Sequence, residues 1–217
     1  MPQPSLAELE PRKLPVQARS TASVDAILKA TIQVLLKVGK ERLTTTRVAM
    51  RAGVSVGTLY QYFPNKSALL QAALRRHLDG VTEAMERVCI EQTGRTLAEM
   101  ATALINAFLE AKMRDVKTSV ALYSVSSDVD GARITRQNGV RANAAIAEML
   151  ASAREPLTRD PKLVASMLQS AMVGVSRRLL ESDELEKQFD AVREELIVLV
   201  CSYLEACSAR HLEAMAR

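Results

Sequence analysis

The tetrapeptide Ala52-Gly53-Val54-Ser55 constrains this chain more than any other stretch, because it must end one helix and begin another within four residues. Upstream, Thr44 is a good N-cap, and Val48, Ala49 and Ala52 lay down a small apolar face. Gly53 takes, at little cost, the left-handed conformation that closes a helix. Val54 then points inward, and Ser55 caps a second helix of about two turns, which Phe63-Pro64 stops. Two short helices joined by so tight a turn form a helix-turn-helix, whose second member fits a DNA major groove.

Aromatic placement points the same way. Of the seven Tyr and Phe residues in the chain, Tyr60, Tyr62 and Phe63 fall within four positions. Two tyrosines one residue apart on a short helix cannot both be buried, so at least one hydroxyl is available to a phosphate. Asn65 caps a further helix, and Lys66 sits in its first turn, where a cation opposes the helix dipole and an anionic partner would account for it.

The run AGVSVGTLYQYFPNKSALL closely resembles the DNA-binding signature of the TetR family of bacterial transcriptional regulators. The resemblance covers residues 20–75, roughly a quarter of the chain. It implies a three-helix DNA-binding domain, a helical effector-binding and dimerisation domain behind it, and repression relieved by a small molecule. It also marks Tyr60, Tyr62 and Lys66 as backbone contacts. One departure is Ser67, where the family often has an acidic residue. This weakens the start of the fourth helix without touching the reading positions.

Charge is distributed to match. Residues 1–70 hold ten Lys and Arg against four Asp and Glu, whereas the remainder, from totals of 29 and 25, holds 19 against 21. A basic N-terminal third fits a polyanion partner for that third alone, though a merely soluble basic surface has the same composition. Cys89, Cys201 and Cys207 make an odd count with no CxxC, so neither a disulfide framework nor a zinc site is expected, and a reducing cytoplasm fits. No apolar run reaches the length of a membrane span, and the N-terminus, with its prolines and charges, is not expected to be a secretory leader.

The expected fold is all-α, with about nine helices. Residues 1–19, with four prolines, read as a flexible arm whose Arg12, Lys13 and Arg19 either follow DNA or are simply solvated. Residues 20–66 form the DNA-binding domain, and residues 67–217 the effector-binding and dimerisation domain. Helix 1 spans about 21–38 on the stripe Val24, Ile27, Leu28, Thr31, Val34, Leu35 and Val38, and ends at Gly39. Helix 4 starts at Lys66 and keeps one stripe from Leu70 to Val88; at about 25 residues it is roughly 38 Å long and connects the two domains. Thr96-Leu-Ala-Glu99 is a capping box opening helix 5, to about Met113. A sixth segment covers about 115–127, a turn follows at 128–131, and a seventh helix runs to about Ala153 with Gly139 as a soft point. Asp160-Pro161 starts helix 8, to about Leu180, and helix 9 covers 185–209.

Within the motif, exposed residues at the start of the recognition helix should approach base edges. Val56 and Thr58 can touch thymine methyls, Gly57 lets the backbone come close, and Thr58 or Gln61 can hydrogen-bond. Thr45, Thr46 and Arg47 open helix 2, where free N–H groups favour a phosphate, and Ser55 opens helix 3. The alternative for each Thr is a simple cap, and for Tyr60 a half-buried core ring. Leu59 and Phe63 read as core.

One such unit contacts few bases, so a two-fold dimer on a palindromic operator is expected. Ser166, Ser170 and Gly174 form a small-residue stripe on helix 8. Helix 9 carries Leu196 to Val200, apolar all round, with Tyr203 extending the face. Both features also suit packing inside one subunit. Family resemblance favours a four-helix interface.

In the second domain, Met100, Met149 and Met172, with Leu104, Phe108, Tyr123 and Gln169, are candidates for an adaptable pocket taking a small hydrophobic or amphipathic effector. An ordinary core would use the methionines equally well. Asn106 and Asn143 are further polar candidates. An enzyme is the competing class. Its signs are absent from the sequence: the only histidines, His77 and His211, lie far apart, and no HExxH, GxSxG, GxGxxG or phosphate loop occurs. A helical adaptor without DNA binding would not need intact reading positions. No cofactor and no metal are expected.

Overall fold

A computed structural model describes residues 18–182 and 184–208; residues 1–17 of the expected arm and His211 lie outside these, whereas Ala18 and Arg19, read as the end of the arm, already belong to the first helix. Among the described residues there are nine α-helices: α1 (Ala18–Arg42), α2 (Thr45–Ala52), α3 (Val56–Tyr62), α4 (Lys66–Glu91), α5 (Leu97–Met113), α6 (Val116–Val125), α7 (Gly131–Ala151), α8 (Pro161–Leu180) and α9 (Leu185–Ala206). The fold is all-α; an isolated bridge between Leu157 and Ser208 is the only β pairing among the described residues.

Local chemistry sets most boundaries. Helical geometry in α1 breaks at Gly39, with φ 74° and ψ 170°, where the sequence puts the end of the helix. Asn65 Oδ1 accepts from Ala68 N at 2.9 Å, so the cap holds the start of α4 without an acid at position 67. Thr96 and Glu99 form the expected capping box, and Asp160 caps α8 ahead of Pro161. The Thr96 N–H and hydroxyl hold the Glu99 carboxyl below the usual carboxylate range. The region around 126–131 is tighter than a simple turn. A 3₁₀ turn at Ser126–Asp128 follows α6, Asp130 takes φ 55°, and Gly131 opens α7. A Cβ on Gly131 would stand 2.6 Å from Ser126 O, so close backbone approach is what requires glycine there.

Contacts divide the described residues into two units. One takes residues up to Leu78 together with Lys117–Thr135; the other takes Asp79–Val116 and residues from Arg136 onward. In the first unit, Ile27, Leu28, Val34 and Leu35 of α1 pack with Val48, Leu59, Phe63, Leu70 and Leu74. Leu122, Val125, Val129 and Ile134 belong to the same core. Burying each large side chain contributes about 1.5–3 kcal/mol. In the second unit, Val81 and Met85 of α4 pack with Met100, Leu104 and Phe108 of α5, Ile146 and Met149 of α7, Leu168 and Met172 of α8, and Leu196, Val200 and Leu204 of α9. There, Arg141 on α7 grips Glu86 on α4 through two hydrogen bonds of 3.2 and 2.8 Å. The buried Thr82 donates to Asn138 Oδ1 at 2.9 Å.

Candidate nucleic-acid interface

The motif is assembled from short-range hydrogen bonds. Thr44 Oγ1 accepts from Arg47 N at 3.3 Å. Gly53, at φ 69° and ψ 29°, closes α2, and Val54 N donates back to Ala49 O at 3.0 Å. Ser55 Oγ accepts from Thr58 N at 2.9 Å and lies 2.8 Å from Thr58 Oγ1. Both caps are where the sequence puts them. Leu59 and Phe63 are buried and anchor α3 from beneath.

This anchoring leaves one face of α2 and α3 open. Thr46, Arg47, Ser55, Val56, Gly57, Tyr60 and Gln61 are exposed; Thr45, Thr58, Tyr62 and Lys66 are half-buried. Tyr60 stands out from the surface and Tyr62 packs against the core, so the two-tyrosine argument selects Tyr60. The Tyr60 hydroxyl lies 3.0 Å from Thr45 Oγ1, which ties α3 to the start of α2. Gly57 has an ordinary negative φ, and a Cβ there would meet only Ser55 Oγ, at 3.7 Å.

Lys66 has a partner within the chain. Its Nζ donates to Lys40 O at 2.6 Å, so a carbonyl supplies the negative end that the sequence assigns to a phosphate. Three further braces were invisible in the sequence: Arg51 Nε to Gln33 Oε1 at 2.6 Å, Arg47 Nη1 to Arg42 O at 2.9 Å, and an ion pair between Lys40 and Asp128. The first and third join residues with no sequence periodicity in common.

The remaining candidates are placed as follows. Met100, Leu104, Phe108, Met149 and Met172 are buried in the second unit's core. Gln169, half-buried, donates to Gly139 O at 3.1 Å, and α7 runs through Gly139 without a break. Tyr123 is exposed on α6 and belongs to the first unit, apart from the other six. Asn106 Oδ1 is buried with no hydrogen-bond partner, a costly state that marks it as an acceptor in want of a donor. On α8, Ser166, Ser170 and Gly174 are exposed, with Leu163 and Met167 more than half exposed beside them. Leu196 and Val200, by contrast, are only 2% exposed and serve the subunit's own core. The large apolar residues that α9 leaves outside are Val198 and Leu199, and Tyr203 is half-buried. Among the described residues no group of three His, Cys, Asp or Glu is placed to hold a metal ion, and no helix is long and apolar enough to cross a membrane.

Two family models fit the chain: "Bacterial regulatory proteins, tetR family" over residues 27–73 and "Tetracyclin repressor-like, C-terminal domain" over residues 96–204. The HTH-type transcriptional repressor KstR of Mycolicibacterium smegmatis is 42% identical over 64 residues, 30% of this chain and 31% of that protein. The shared stretch is thus less than a third of that relative's length. In fold, the chain is similar to a transcriptional regulator from Rhodococcus sp. Rha1, with TM-score 0.66 and 21% identity over 86% of this chain and 97% of that one. It is also similar to SmeT, the repressor of the Stenotrophomonas maltophilia multidrug efflux pump SmeDEF, with TM-score 0.61 and 22% identity over 87% and 91% of the two chains. SmeT is known as well in complex with triclosan, and that structure has TM-score 0.61 and 21% identity over 82% of this chain and 91% of that one.

Proposed function

We propose that this chain, which belongs to the TetR family of bacterial transcriptional regulators, works as a homodimeric repressor that leaves a palindromic operator when a small hydrophobic or amphipathic molecule binds. Its family is one of DNA-binding regulators rather than enzymes. The observation that carries the reading is the open face of α2 and α3, held by two side-chain caps and the buried Leu59 and Phe63. Val56, Gly57, Thr58 and Gln61 meet bases; Thr45, Thr46, Arg47, Ser55, Tyr60 and Tyr62 meet the backbone. Lys66 serves first to fix the start of α4, and a phosphate contact would be shared with the Lys40 carbonyl.

The exposed small-residue stripe of α8, with Leu163, Met167, Val198 and Leu199 around it, is the surface on which two copies join. A Cβ added at Gly174 would meet no neighbouring side chain or helix of its own subunit within 4 Å, which leaves room for a helix of the second copy. The effector takes a place in the second unit beside Asn106 and the methionines of that core. A hydrophobic class is supported by the fold likeness to SmeT, itself known in complex with triclosan. Binding there shifts the population toward a state with weak operator affinity, and operator must weaken effector binding by the same factor.

Selection of bound duplexes from a random pool tests the reading. A recovered palindrome is expected, with affinity falling steeply as salt rises. Absence of any enriched sequence, together with a flat salt response, would sink it.

A further inference from the structure

Between α6 and α7 the chain makes a turn that grips both ends of the reading motif. Val129 is fully buried in the core that also holds Leu59 and Phe63, and its carbonyl accepts from Gln71 Nε2 of α4 at 3.1 Å. One residue earlier, Asp128 forms an ion pair with Lys40, just past the Gly39 break in α1. This carboxylate holds the Lys40 ammonium above its ordinary range. The Lys40 carbonyl in turn receives Lys66 Nζ at 2.6 Å, at the first residue of α4. The end of α1 and the start of α4 are the two points from which α2 and α3 are suspended. The turn that reaches them has one shape: Asp130 at φ 55°, Arg133 Nε on Asp130 Oδ2 at 2.7 Å, and Gly131 too close to Ser126 to carry a side chain.

We propose that the Ser126–Gly131 turn is a positioning element for DNA reading, in which Asp128, through Lys40, and Val129, through Gln71, fix the recognition helix without meeting DNA themselves. The inference rests on the DNA-binding reading and adds a residue set to it. Its diagnostic is a sign. Deleting a carboxylate from a protein that binds a polyanion should tighten binding on Coulombic grounds alone. A positioning carboxylate does the opposite when it is lost.

The test uses the full chain and the duplex it recovers from a random pool, with affinity measured across a salt series well below the melting temperature. Asp128→Asn is expected to weaken binding about threefold, because an exposed ion pair is worth little. Gln71→Leu strands the buried Val129 carbonyl and is expected to weaken binding about tenfold. The slope of log affinity against log salt stays that of the unsubstituted chain, since no phosphate contact is removed. Asp128→Glu retains binding. Asp128→Asn that is folded, by its melting curve, and binds as tightly as the unsubstituted chain or more tightly overturns the proposal. So does a loss that comes with a salt slope reduced by about one. If Gln71→Leu does not fold, Asp128→Asn decides alone. If the unsubstituted chain recovers no duplex, the DNA-binding reading fails and the inference falls with it. Recovery of a duplex that Asp128→Asn binds equally well leaves that reading standing and removes only the turn's role.

Discussion

The two cores of this molecule are built from different materials. Among the described residues, the core beneath the reading helices contains no methionine; it is Ile, Leu, Val, Ala and one Phe. The other core includes Met85, Met100, Met149 and Met172, and beside it Asn106 keeps a buried oxygen without a partner. Branched side chains with few rotamers hold a surface in one geometry, whereas unbranched thioethers repack around different shapes. Polar side chains are tied in both units, Arg51 to Gln33 and Tyr60 to Thr45 around α2 and α3, and Thr82 to Asn138 in the other, so the contrast lies in the apolar side chains and in the Asn106 oxygen. The difference teaches that fixed geometry is concentrated where a duplex of invariant dimensions would be met, and adaptability where a small molecule would be.

The comparison can be broken most directly at Leu59. Its side chain is fully buried under α3, and Leu59→Ala should cost about 2–5 kcal/mol in chemical denaturation, with operator binding lost in step. In the other core, Asn106→Leu removes an acceptor that has no donor. Unfolding free energy is expected to rise by about 1–3 kcal/mol, while the response of the operator complex to effector disappears. A fall in stability instead would mean that the Asn106 oxygen is satisfied. Gly57→Ala sharpens the contrast between what the fold needs and what the ligand needs. No atom of the chain crowds that position, so the melting temperature should rise, by about 0.5–1 kcal/mol in free energy, as operator affinity falls at least about tenfold. Unchanged affinity would show that DNA does not approach there. The smallest effect lies at the capping box. Because the Glu99 carboxyl is held low by Thr96, its stabilisation is complete above the unfolded carboxyl range and lost as pH falls through the lowered folded value. Glu99→Gln should therefore lower the melting temperature slightly at neutral pH and leave it nearly unchanged in acid, where the carboxyl of the unsubstituted chain is already protonated.

What the sequence made legible has a common physical basis. Thr44, Gly53, Ser55, Asn65, Thr96 with Glu99, and Asp160 with Pro161 all act on backbone groups within a few residues, so each end could be read from a short window. The core stripe of α1 was equally local: Ile27, Leu28, Thr31, Val34 and Leu35 are all buried. The braces were not legible, because nothing near Lys40 announces Asp128, and nothing near Gln71 announces the Val129 carbonyl. The run from Leu196 to Val200 failed for another reason. A segment that is apolar all round does not say which side faces its own subunit, and only packing sends Leu196 and Val200 inward and Val198 and Leu199 outward. Gly131 read as a turn residue, but its neighbour Asp130 carries the positive φ, and Gly131 is needed for the space it leaves.

Leu122, Val125, Val129 and Ile134 complete the core beneath the reading helices, although they follow those helices only after the whole of α5. The reading head is therefore not a cassette. A chimaera that joined residues up to Leu78 to a foreign sensing module would leave the places of four apolar side chains open to water, and would aggregate or melt early for that reason. A transplant that keeps the head intact has to carry two pieces of chain, and the second piece lies inside the module being exchanged.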